Sequence, residues 1–432
     1  MSTFVSYAEV LEYLYANLPM FQRVGAAALK PDLKNTLALC AALGNPQERF
    51  QTIHVAGTNG KGSTSHTLAA ILQSAGYKTG LYTSPHLKSF TERIRVSGLP
   101  VEEAFVIGFV NRIRTVAEAI QPSFFELTVA MAFDYFAQQQ VDVAVIEVGL
   151  GGRLDSTNVI NPVLSVITNI GWDHQDILGD TLPRIAAEKA GIIKPGVPVV
   201  ISQHQPETDE VFIAKAERES APLLFAPDRY SVRASGAGAS ALDVYRDGVC
   251  LFEGLPLDLQ GLYQQKNILG VLAAVEELQR QGWAITTGHI RAGTGHVMPL
   301  TGLKGRWQIL GQHPLIVCDT GHNADGIAEV VRQIRLQDYT RLWMVIGMVK
   351  DKDIHHVLHL LPTDANYYFC QASIPRALDA EALAAQARAE GLHGAVVRDV
   401  NEALAQAKAN AGPDDMIFVG GSTFVVADLA GI

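Results

Sequence analysis

The sequence has few cysteines and no long apolar run. Its 432 residues include four cysteines, far apart and without a C-x-x-C pair: Cys40, Cys250, Cys318 and Cys370. This spacing argues against a disulfide framework or a zinc ribbon and favours a reducing compartment. No apolar stretch approaches the roughly 20 residues that a membrane helix requires. We therefore expect a protein without a transmembrane segment.

Basic charge is also scarce. Lys and Arg number 34 against 44 Asp and Glu, so the formal net charge is −10. Such an excess of acid disfavours nucleic acid and anionic membranes as partners, although it leaves room for one locally basic pocket. Glu9 and Glu12 interrupt the first apolar stretch and no basic residue precedes Arg23, so we expect no signal peptide. A cytoplasmic globular protein is the resulting prediction.

Short β-branched stretches alternate with helical ones through the first half of the chain. This alternation predicts an open α/β sheet with helices on both faces. From residue 225 to 260, short alternating segments with turn residues instead predict a small β-meander. The candidate strands are 52–57, 79–83, 141–149, 163–170 and 197–202, and the candidate helices are 6–17, 61–74, 125–140 and 267–281.

A segment rich in Gly and Pro, residues 296–305, lacks a clear period and is typical of a linker. After it the α/β alternation restarts. We predict a first domain over 1–297, a linker over 298–304 and a smaller α/β domain over 305–432. The strands predicted there are 314–321, 341–348, 366–371, 394–399 and 416–421.

The stretch HVAGTNGKGS (54–63) is similar to a phosphate-binding loop but departs from G-x-x-x-x-G-K-[ST] at both ends. Val55 replaces the first glycine, and Gly62 replaces the hydroxyl residue after Lys61. The loop lies between a predicted strand and a predicted helix, so its N–H groups would face a bound anion. We predict nucleotide binding; a tight turn with a solvated lysine is the alternative.

Two oxygen-bearing side chains follow predicted strands and suit magnesium. Ser84 comes after the strand at 79–83, where a plain capping serine is the alternative. Glu147 follows four apolar residues at a strand's end, where an acid without a partner has no structural role. We predict that Glu147 binds magnesium, with a buried pair to Arg153 as the alternative.

Two further polar residues carry weaker signals. His174 is flanked by Asp173 and Asp176, and a lone histidine is more often a surface or core residue than a ligand. Lys189 lies among small and apolar neighbours, where desolvation would make it nucleophilic enough to form a carbamate with carbon dioxide. Taken alone, the residues favour a salt bridge between Lys189 and Glu188.

An ordered set of motifs along nearly the whole chain resembles folylpolyglutamate synthase and its bacterial bifunctional form, dihydrofolate synthase. Each motif is modest alone, but their order is specific. The motifs are GTNGKGS (57–63), TSPHL (83–87), EVGLGGRLDSTN (147–158), DH (173–174), EKAGIIK (188–194), YQQKN (263–267), GR (305–306), DTGHN (319–323) and IGMVKDKD (346–353).

The resemblance implies a Mur ligase architecture: an N-terminal P-loop ATPase domain and a C-terminal Rossmann-like domain, with the active site between them. It implies ATP-dependent ligation of L-glutamate to dihydropteroate and to reduced folates or folylpolyglutamates, through an acyl phosphate, in a monomer. The ATP contacts it implies are Gly57, Thr58, Asn59, Gly60, Lys61, Gly62, Ser63, Asn267, Arg306, Asp319 and His322.

The same resemblance implies two Mg²⁺ sites and a pterin site. Ser84 and Glu147 would hold one ion, and Glu147, His174 and a carbamylated Lys189 the other, with Lys61 completing the catalytic set. The pterin residues would be Ser123, Phe124, Phe125, Glu126, Leu154, Asp155 and Ser156. The chain departs from the family at Ser123 and Thr320-Gly321, and the stretch near Lys30–Leu33 does not align securely. Which folate is preferred therefore stays open.

Three other classes of protein are alternatives. A ligase acting on a cell-wall nucleotide precursor would need a substantial domain before the loop, where this chain has only about fifty residues. A P-loop switch ATPase would not need the second α/β domain with Arg306 and Asp319. A dehydrogenase is disfavoured because G-x-G-x-x-G is absent after the first strand.

Overall fold

The computed structural model describes residues 3–21, 25–28, 30, 32–235, 240–350 and 354–432. The chain divides into two compact units. Unit 1 comprises Met1–Asp258 and Gln265–Gly302, and unit 2 comprises Leu259–Gln264 and Leu303–Ile432. The end of the motif IGMVKDKD (351–353) and part of the predicted meander (236–239) lie outside the described residues.

Unit 1 is built on an eight-stranded sheet with the strand order β4-β3-β2-β5-β1-β6-β7-β8. Six strands run parallel, and the β3–β4 hairpin at one edge is antiparallel. The strands are β1 (Gln51–Ala56), β2 (Thr79–Tyr82), β3 (Ile94–Val96), β4 (Leu99–Pro100), β5 (Val143–Glu147), β6 (Leu164–Ile167), β7 (Val199–Ile201) and β8 (Leu223–Phe225).

Helices cover both faces of this sheet, which confirms the predicted α/β class. One buried cluster packs α1, α4 and α5 against the sheet, and a second packs α3 and α9. The helices are α1 (Tyr7–Asn17), α2 (Lys34–Ala42), α3 (Lys61–Ser74), α4 (Glu103–Ile120), α5 (Phe124–Gln138), α6 (Gln175–Leu178), α7 (Leu182–Lys189), α8 (Asp209–Glu219), α9 (Gln264–Arg280), α10 (Thr287–Gly295) and α11 (Val297–Thr301).

Local sequence explains several of these elements. Every residue of β5, VAVIE, is buried, as expected for a central parallel strand covered on both faces. Ser6 and Glu9 form a capping box that starts α1, as their spacing indicates. A small antiparallel sheet also occurs where the meander was predicted, with strands β9 (Tyr230–Ala234), β10 (Ala241–Arg246) and β11 (Val249–Pro256).

Unit 2 has a six-stranded sheet in the order β12-β13-β17-β14-β15-β16, parallel except for the edge strand β12. Its strands are β12 (Gln308–Gln312), β13 (Leu315–Cys318), β14 (Leu342–Ile346), β15 (Asn366–Phe369), β16 (Gly394–Val396) and β17 (Met416–Gly420). Its helices are α12 (Ala324–Ile334), α13 (Ile354–His359), α14 (Ala380–Ala389), α15 (Val400–Asn410) and α16 (Thr423–Asp428).

The segment predicted as a linker, 298–304, begins inside helix α11. Thr301 of this helix is fully buried in unit 1, and its hydroxyl lies 2.8 Å from Nδ1 of His66. After its excursion into unit 2 at Leu259–Gln264, the chain leaves unit 1 for the last time between Gly302 and Leu303.

Candidate functional site

Four neighbouring parallel strands of unit 1 end at one edge of the sheet. They are β2, β5, β1 and β6, in that spatial order. Ser84 follows β2, Glu147 is the last residue of β5, the loop 57–60 follows β1, and residues 168–171 follow β6. Because the carboxyl ends of parallel strands share an edge, the topology brings the predicted phosphate loop together with Ser84 and Glu147, two of the predicted magnesium ligands.

Glycine is required at two positions of the phosphate loop. Gly57 has φ +144°, and a Cβ there would lie 1.8 Å from the Thr168 hydroxyl oxygen. Gly60 has φ +86°, and a Cβ there would lie 2.4 Å from Oδ1 of Asn267. The loop thus passes too close to its neighbours to carry side chains at these points. Asn267, predicted from the resemblance, lies directly against it.

Lys61 begins helix α3, at whose N-terminus Gly60 provides no side-chain cap. Its Nζ donates to the carbonyl oxygens of Gly57 and Thr58, both at 3.0 Å. The ammonium group therefore lies back over the loop, at the positive end of the helix dipole. This arrangement favours an anion such as a phosphate.

Residues 168–171 hold the loop from the side of β6. The amides of Thr58 and Asn59 donate to the backbone and side-chain oxygens of Asn169, both at 2.8 Å. The Thr58 hydroxyl accepts from the Gly171 amide at 2.9 Å and donates to the Gly171 carbonyl at 3.3 Å. This segment is not among the site residues predicted from sequence. Its signal was the run of polar and small residues, TNIG, that closes a predicted strand.

Ser84 and Glu147 are neighbours. The Ser84 amide donates to Oε2 of Glu147 at 3.2 Å, and Glu147 is only 5% exposed. The alternative pairing of Glu147 with Arg153 does not occur, because Arg153 binds Glu188 instead, with Nη2 to Oε1 at 2.8 Å. Among the described residues, no three His, Cys, Asp or Glu side chains converge as a metal centre. A cation beside Ser84 and Glu147 would therefore need ligands of other kinds as well.

Lys189 ends helix α7 and is 3% exposed. Its Nζ donates to the Gly57 carbonyl at 2.9 Å, which places the amine against the phosphate loop. Burial, and secondarily the charge of Lys61, lowers the pKa of Lys189 to about 7. Since Glu188 binds Arg153, the salt bridge that the sequence favoured for Lys189 does not form.

His174 adopts a left-handed backbone conformation, with φ 53°, immediately before helix α6. Its Nε2 lies 3.7 Å from Oδ1 of Asp173, and its ring meets the Phe21 ring edge-on at 5.5 Å. The residue therefore sits on the segment that continues from 168–171, partly exposed, in a backbone conformation that non-glycine residues seldom adopt.

The predicted pterin residues at 123–126 start helix α5. Ser123 and Glu126 form a capping box, and the buried Glu126 also accepts from Nδ2 of Asn35 at 3.3 Å. Phe124 is buried, whereas Phe125 is half-buried and fills the space where Gly149 lacks a side chain. Of these four residues, Phe125 is the one that is not fully buried, so its side chain can meet a ligand.

A buried arginine that is not among the predicted site residues lies beside Phe124. Arg93 is 3% exposed, its guanidinium carbon lies 5.3 Å from the Phe124 ring centroid, and its Nε donates to Nδ1 of His86 at 2.8 Å. Burial lowers the pKa of Arg93 and lowers the pKa of His86 to about 3. Nothing in TERIR (91–95) distinguishes this arginine from a surface charge.

The second predicted pterin segment, Leu154-Asp155-Ser156, folds around the Asp155 carboxylate. Asp155 accepts from the amides of Thr157 at 3.0 Å and Leu150 at 2.8 Å, and burial raises its pKa. Behind it, Nε2 of the fully buried His54 lies 2.9 Å from the Thr157 hydroxyl. Asp155 thus shapes the segment, with Leu154 half-buried and Ser156 buried beside it.

In unit 2, Asp319 follows β13 and is 3% exposed. Its carboxylate accepts from the Tyr263 hydroxyl at 2.6 Å and from the amides of Trp307 and Gly321, each at 2.7 Å. Arg306 donates to the Thr320 hydroxyl. Asp319 therefore fixes the backbone at Trp307, which follows Arg306, and at Gly321, which follows the Thr320 that Arg306 binds. Nδ1 of His322 lies 3.0 Å from the Thr320 carbonyl oxygen.

Comparison with known proteins gives a consistent result. Residues 55–275 match the Mur ligase middle domain, and residues 305–423 match the Mur ligase glutamate ligase domain. The dihydrofolate synthase/folylpolyglutamate synthase of Bacillus subtilis is 33% identical over 439 aligned residues, covering 99% of each chain.

Two solved structures are also similar over almost their full length. E. coli FolC in complex with DHPP and ADP is 31% identical with a TM-score of 0.87, covering 99% of this chain and 97% of that one. A bifunctional folylpolyglutamate synthase/dihydrofolate synthase with Mn, AMPPNP and L-glutamate bound is 29% identical with a TM-score of 0.83. That match covers 98% of this chain and 97% of the other.

A phosphate-loop unit followed by a glutamate ligase unit defines an ATP-dependent ligase of the Mur type. The chain belongs to the Mur ligase family and, within it, to the folylpolyglutamate and dihydrofolate synthases. The fold class and the resemblance predicted from the motifs are thereby confirmed. In the described part of the chain, no helix is long and apolar enough to cross a bilayer.

Proposed function

We propose that this chain joins L-glutamate to dihydropteroate and to reduced folates, using ATP and an acyl phosphate intermediate and releasing ADP and phosphate. The observation that carries the proposal is the shared strand edge, where loop 57–60 lies beside Ser84 and Glu147. Relatives support the substrates, because one binds DHPP and ADP and another binds AMPPNP and L-glutamate.

The chemistry explains why ATP is needed. A carboxylate is a poor acyl donor because its leaving group would be oxide, whereas an acyl phosphate loses phosphate readily. Catalysis of phosphoryl transfer is mainly positioning and charge neutralisation. Lys61 would exchange its bonds to the Gly57 and Thr58 carbonyls for phosphate oxygens, and the N-terminus of α3 would add its dipole. The proposed ATP contacts in this unit are Gly57, Thr58, Asn59, Gly60, Lys61, Gly62, Ser63 and Asn267.

Ser84 and Glu147 fit a magnesium ion. A hydroxyl and a nearly buried carboxylate on adjacent strand ends are the hard oxygen ligands that Mg²⁺ takes, alongside phosphate oxygens and water. We propose a second ion held by Glu147, His174 and a carbamate on Lys189. When bound, these ions would neutralise charge on the phosphates and on the reacting carboxylate.

We propose that Phe125 and Leu154 contact the pterin, because both are half-buried beside the strand edge. Ser123, Phe124, Glu126, Asp155 and Ser156 would form the frame around it. The capping box and the Asp155 hydrogen bonds hold that frame without a ligand, so the pocket would be largely preformed.

For unit 2 we propose that residues 305–432 act as the glutamate ligase domain, with 1–297 as the ATPase domain. Arg306 and His322 would contact the nucleotide, while Asp319 would hold Arg306 in place through its bonds to Trp307 and Gly321. We further propose a cytoplasmic monomer without nucleic-acid or membrane partners. Light scattering coupled to size exclusion, at assay concentrations, tests the monomer.

The decisive experiment incubates purified protein with ATP, Mg²⁺ and L-glutamate, adding dihydropteroate or tetrahydrofolate in separate reactions. ADP release is followed with time, and mass spectrometry identifies the product. We expect each pterin to stimulate ADP release and to gain one glutamate, and we expect Lys61→Ala to abolish both signals. If neither pterin stimulates ADP release, the proposed function is wrong. Stimulation by a cell-wall nucleotide precursor instead would support the rival Mur ligase activity.

A further inference from the structure

Gln205 lies in the connection between β7 and α8, and its side chain binds both backbone groups of one residue. Its Oε1 accepts from the Ile170 amide at 2.7 Å, and its Nε2 donates to the Ile170 carbonyl at 2.6 Å. The backbone of a neighbouring β-strand would bind the amide and carbonyl of Ile170 in the same way. The β6–β7 ladder has already ended at Ile167 and Ile201, so the side-chain amide extends it by a further pair of bonds.

The residues on either side of Ile170 are those that hold the phosphate loop. Asn169 accepts from the amides of Thr58 and Asn59, and Gly171 exchanges two hydrogen bonds with the Thr58 hydroxyl. Gln205 therefore binds the residue that lies between Asn169 and Gly171, while a further bond to the loop, from the Thr168 hydroxyl to the Asn59 carbonyl at 2.6 Å, comes from two residues before Ile170. The same segment continues to His174.

Gln205 is itself firmly held. The backbone amide of Gln205 donates to Oδ1 of Asp209 at 2.9 Å. Its backbone carbonyl accepts from the amides of Thr208 and Asp209 at 2.8 and 3.0 Å. Oδ2 of Asp209 in turn lies 2.7 Å from Nδ1 of His204. These hydrogen bonds therefore hold the backbone of Gln205 in an ordered turn just before α8.

We propose that Gln205 is a positioning residue for nucleotide binding. It holds Ile170, which keeps Asn169 and Gly171 in position, and these two residues fix the loop backbone at Thr58 and Asn59 just before Gly60 and Lys61. The inference rests on the proposed binding of ATP by loop 57–63, but not on which pterin the enzyme uses. A loop that is ordered before binding loses less freedom on binding, so its affinity is higher.

The test compares Gln205→Ala and Gln205→Asn with the wild type. The Asn variant keeps the amide but is one methylene too short to reach both groups of Ile170. We expect Gln205→Ala to raise the Kd for ADP, measured by calorimetry, and the KM for ATP by about tenfold, as the loss of two hydrogen bonds indicates. Gln205→Asn should show a smaller rise in the same constants. The KM for L-glutamate should change less than twofold in both variants.

A matched control is Gln281→Ala. Gln281 also donates from its side chain to a backbone carbonyl of the same strand region, to Val163 at 3.1 Å, but at the opposite end of β6. Its loss should leave the Kd for ADP unchanged. Calorimetry on folded protein, with the melting temperature of each variant, separates loss of affinity from loss of fold.

Two outcomes would overturn the proposal. In the first, both Gln205 variants bind ADP as the wild type does. In the second, activity falls only in proportion to folded protein, with unchanged KM for ATP, as for any local destabilisation. Failure of the proposed function looks different: wild-type protein would bind ADP, and Lys61→Ala would not, yet no pterin would stimulate turnover.

Discussion

The buried amine of Lys189 leads to a prediction about carbon dioxide. With a pKa of about 7, the side chain is about three-quarters neutral at pH 7.5, against about one part in a thousand for an ordinary lysine. The neutral nitrogen can add to the carbon of CO₂ and lose one proton to solvent, which leaves a carbamate. The position thus has several hundred times more reactive amine than an exposed lysine. We predict that activity depends on dissolved CO₂.

The assay depletes CO₂ at pH 6.0, where only about a tenth of Lys189 is neutral, and then transfers the enzyme to pH 7.5 with or without bicarbonate. Enzyme without bicarbonate should be slow, and bicarbonate should restore the rate. ¹³C-labelled CO₂ should give a carbamate NMR signal that is absent from Lys189→Ala. That variant should lose turnover and regain part of it with short carboxylates such as acetate.

Lys189→Arg is the control, because its guanidinium stays charged and cannot form the carbamate. We expect it to be inactive and not rescued. Full activity of Lys189→Ala would refute the carbamate role outright. If activity is lost without rescue and the enzyme does not respond to CO₂, the role of Lys189 is its hydrogen bond to the Gly57 carbonyl and not a carbamate.

Three further predictions follow from single contacts. Ser84→Ala and Ser63→Ala should both be assayed for the KM for magnesium-ATP at varied Mg²⁺. The increase in KM caused by Ser84→Ala should be at least ten times the increase caused by Ser63→Ala. Equal increases would contradict the assignment of Ser84 as a ligand. Gly60→Ala should weaken ADP binding at least tenfold in calorimetry, because the new Cβ would clash with Asn267 at a positive φ. Burial lowers the pKa of His54 to about 3, so its contribution to stability is present above pH 6.5 and is lost as pH falls towards 3. Between pH 6.5 and 5 that loss is about 1.7 kcal/mol, and urea titrations of His54→Leu should show a correspondingly shallower dependence on pH.

Much of unit 1 was predictable because its signals are local. The strand at 52–57 and the helix at 61–74 were placed within a residue of β1 and α3, since β-branched runs and a glycine loop mark their limits. The sequence also placed Ser84 after one strand and Glu147 at the end of another, and the resemblance assigned both to one ion; parallel strands share the edge at which they lie. That reasoning needs only strand order, which the α/β pattern constrains.

What the sequence did not reveal depends on long-range pairing. Gln205 and Ile170 are 35 residues apart, and an amide that binds backbone has no pattern in the sequence. The edge strand β12 was missed because it is half-exposed, and a register shift near Gly311 interrupts its pairing. The helical end of the predicted linker was missed because Thr301 is buried through a contact with His66, from a distant helix.

Residues 123–126 show how one motif can carry two meanings. The family resemblance assigns Ser123 and Glu126 to the pterin, whereas S-x-x-E before an apolar run also predicts a capping box. The structure contains the capping box, and the buried Glu126 is already bonded to the Ser123 amide at 2.6 Å. Such residues can shape a pocket without touching its ligand, so their substitution should affect pterin affinity through the helix start.

The missing hydroxyl after Lys61 has a structural counterpart. In this loop the position holds Gly62, and the next hydroxyl, on Ser63, belongs to a nearly buried side chain. Ser84 is half-buried and its backbone amide is bonded to Glu147, so Ser84 is fixed beside the Glu147 carboxylate. The loop 57–60, held from β1 and β6, is then separate from Ser84 and Glu147, although Lys189 donates to its Gly57 carbonyl. Substitutions at Ser84 should therefore change the dependence on Mg²⁺, and those at Gln205 the affinity for nucleotide at saturating Mg²⁺. If substitutions at Ser84 and at Gln205 changed the same constants, the residues at the ends of β2 and β5 and those at the ends of β1 and β6 would act as a single site.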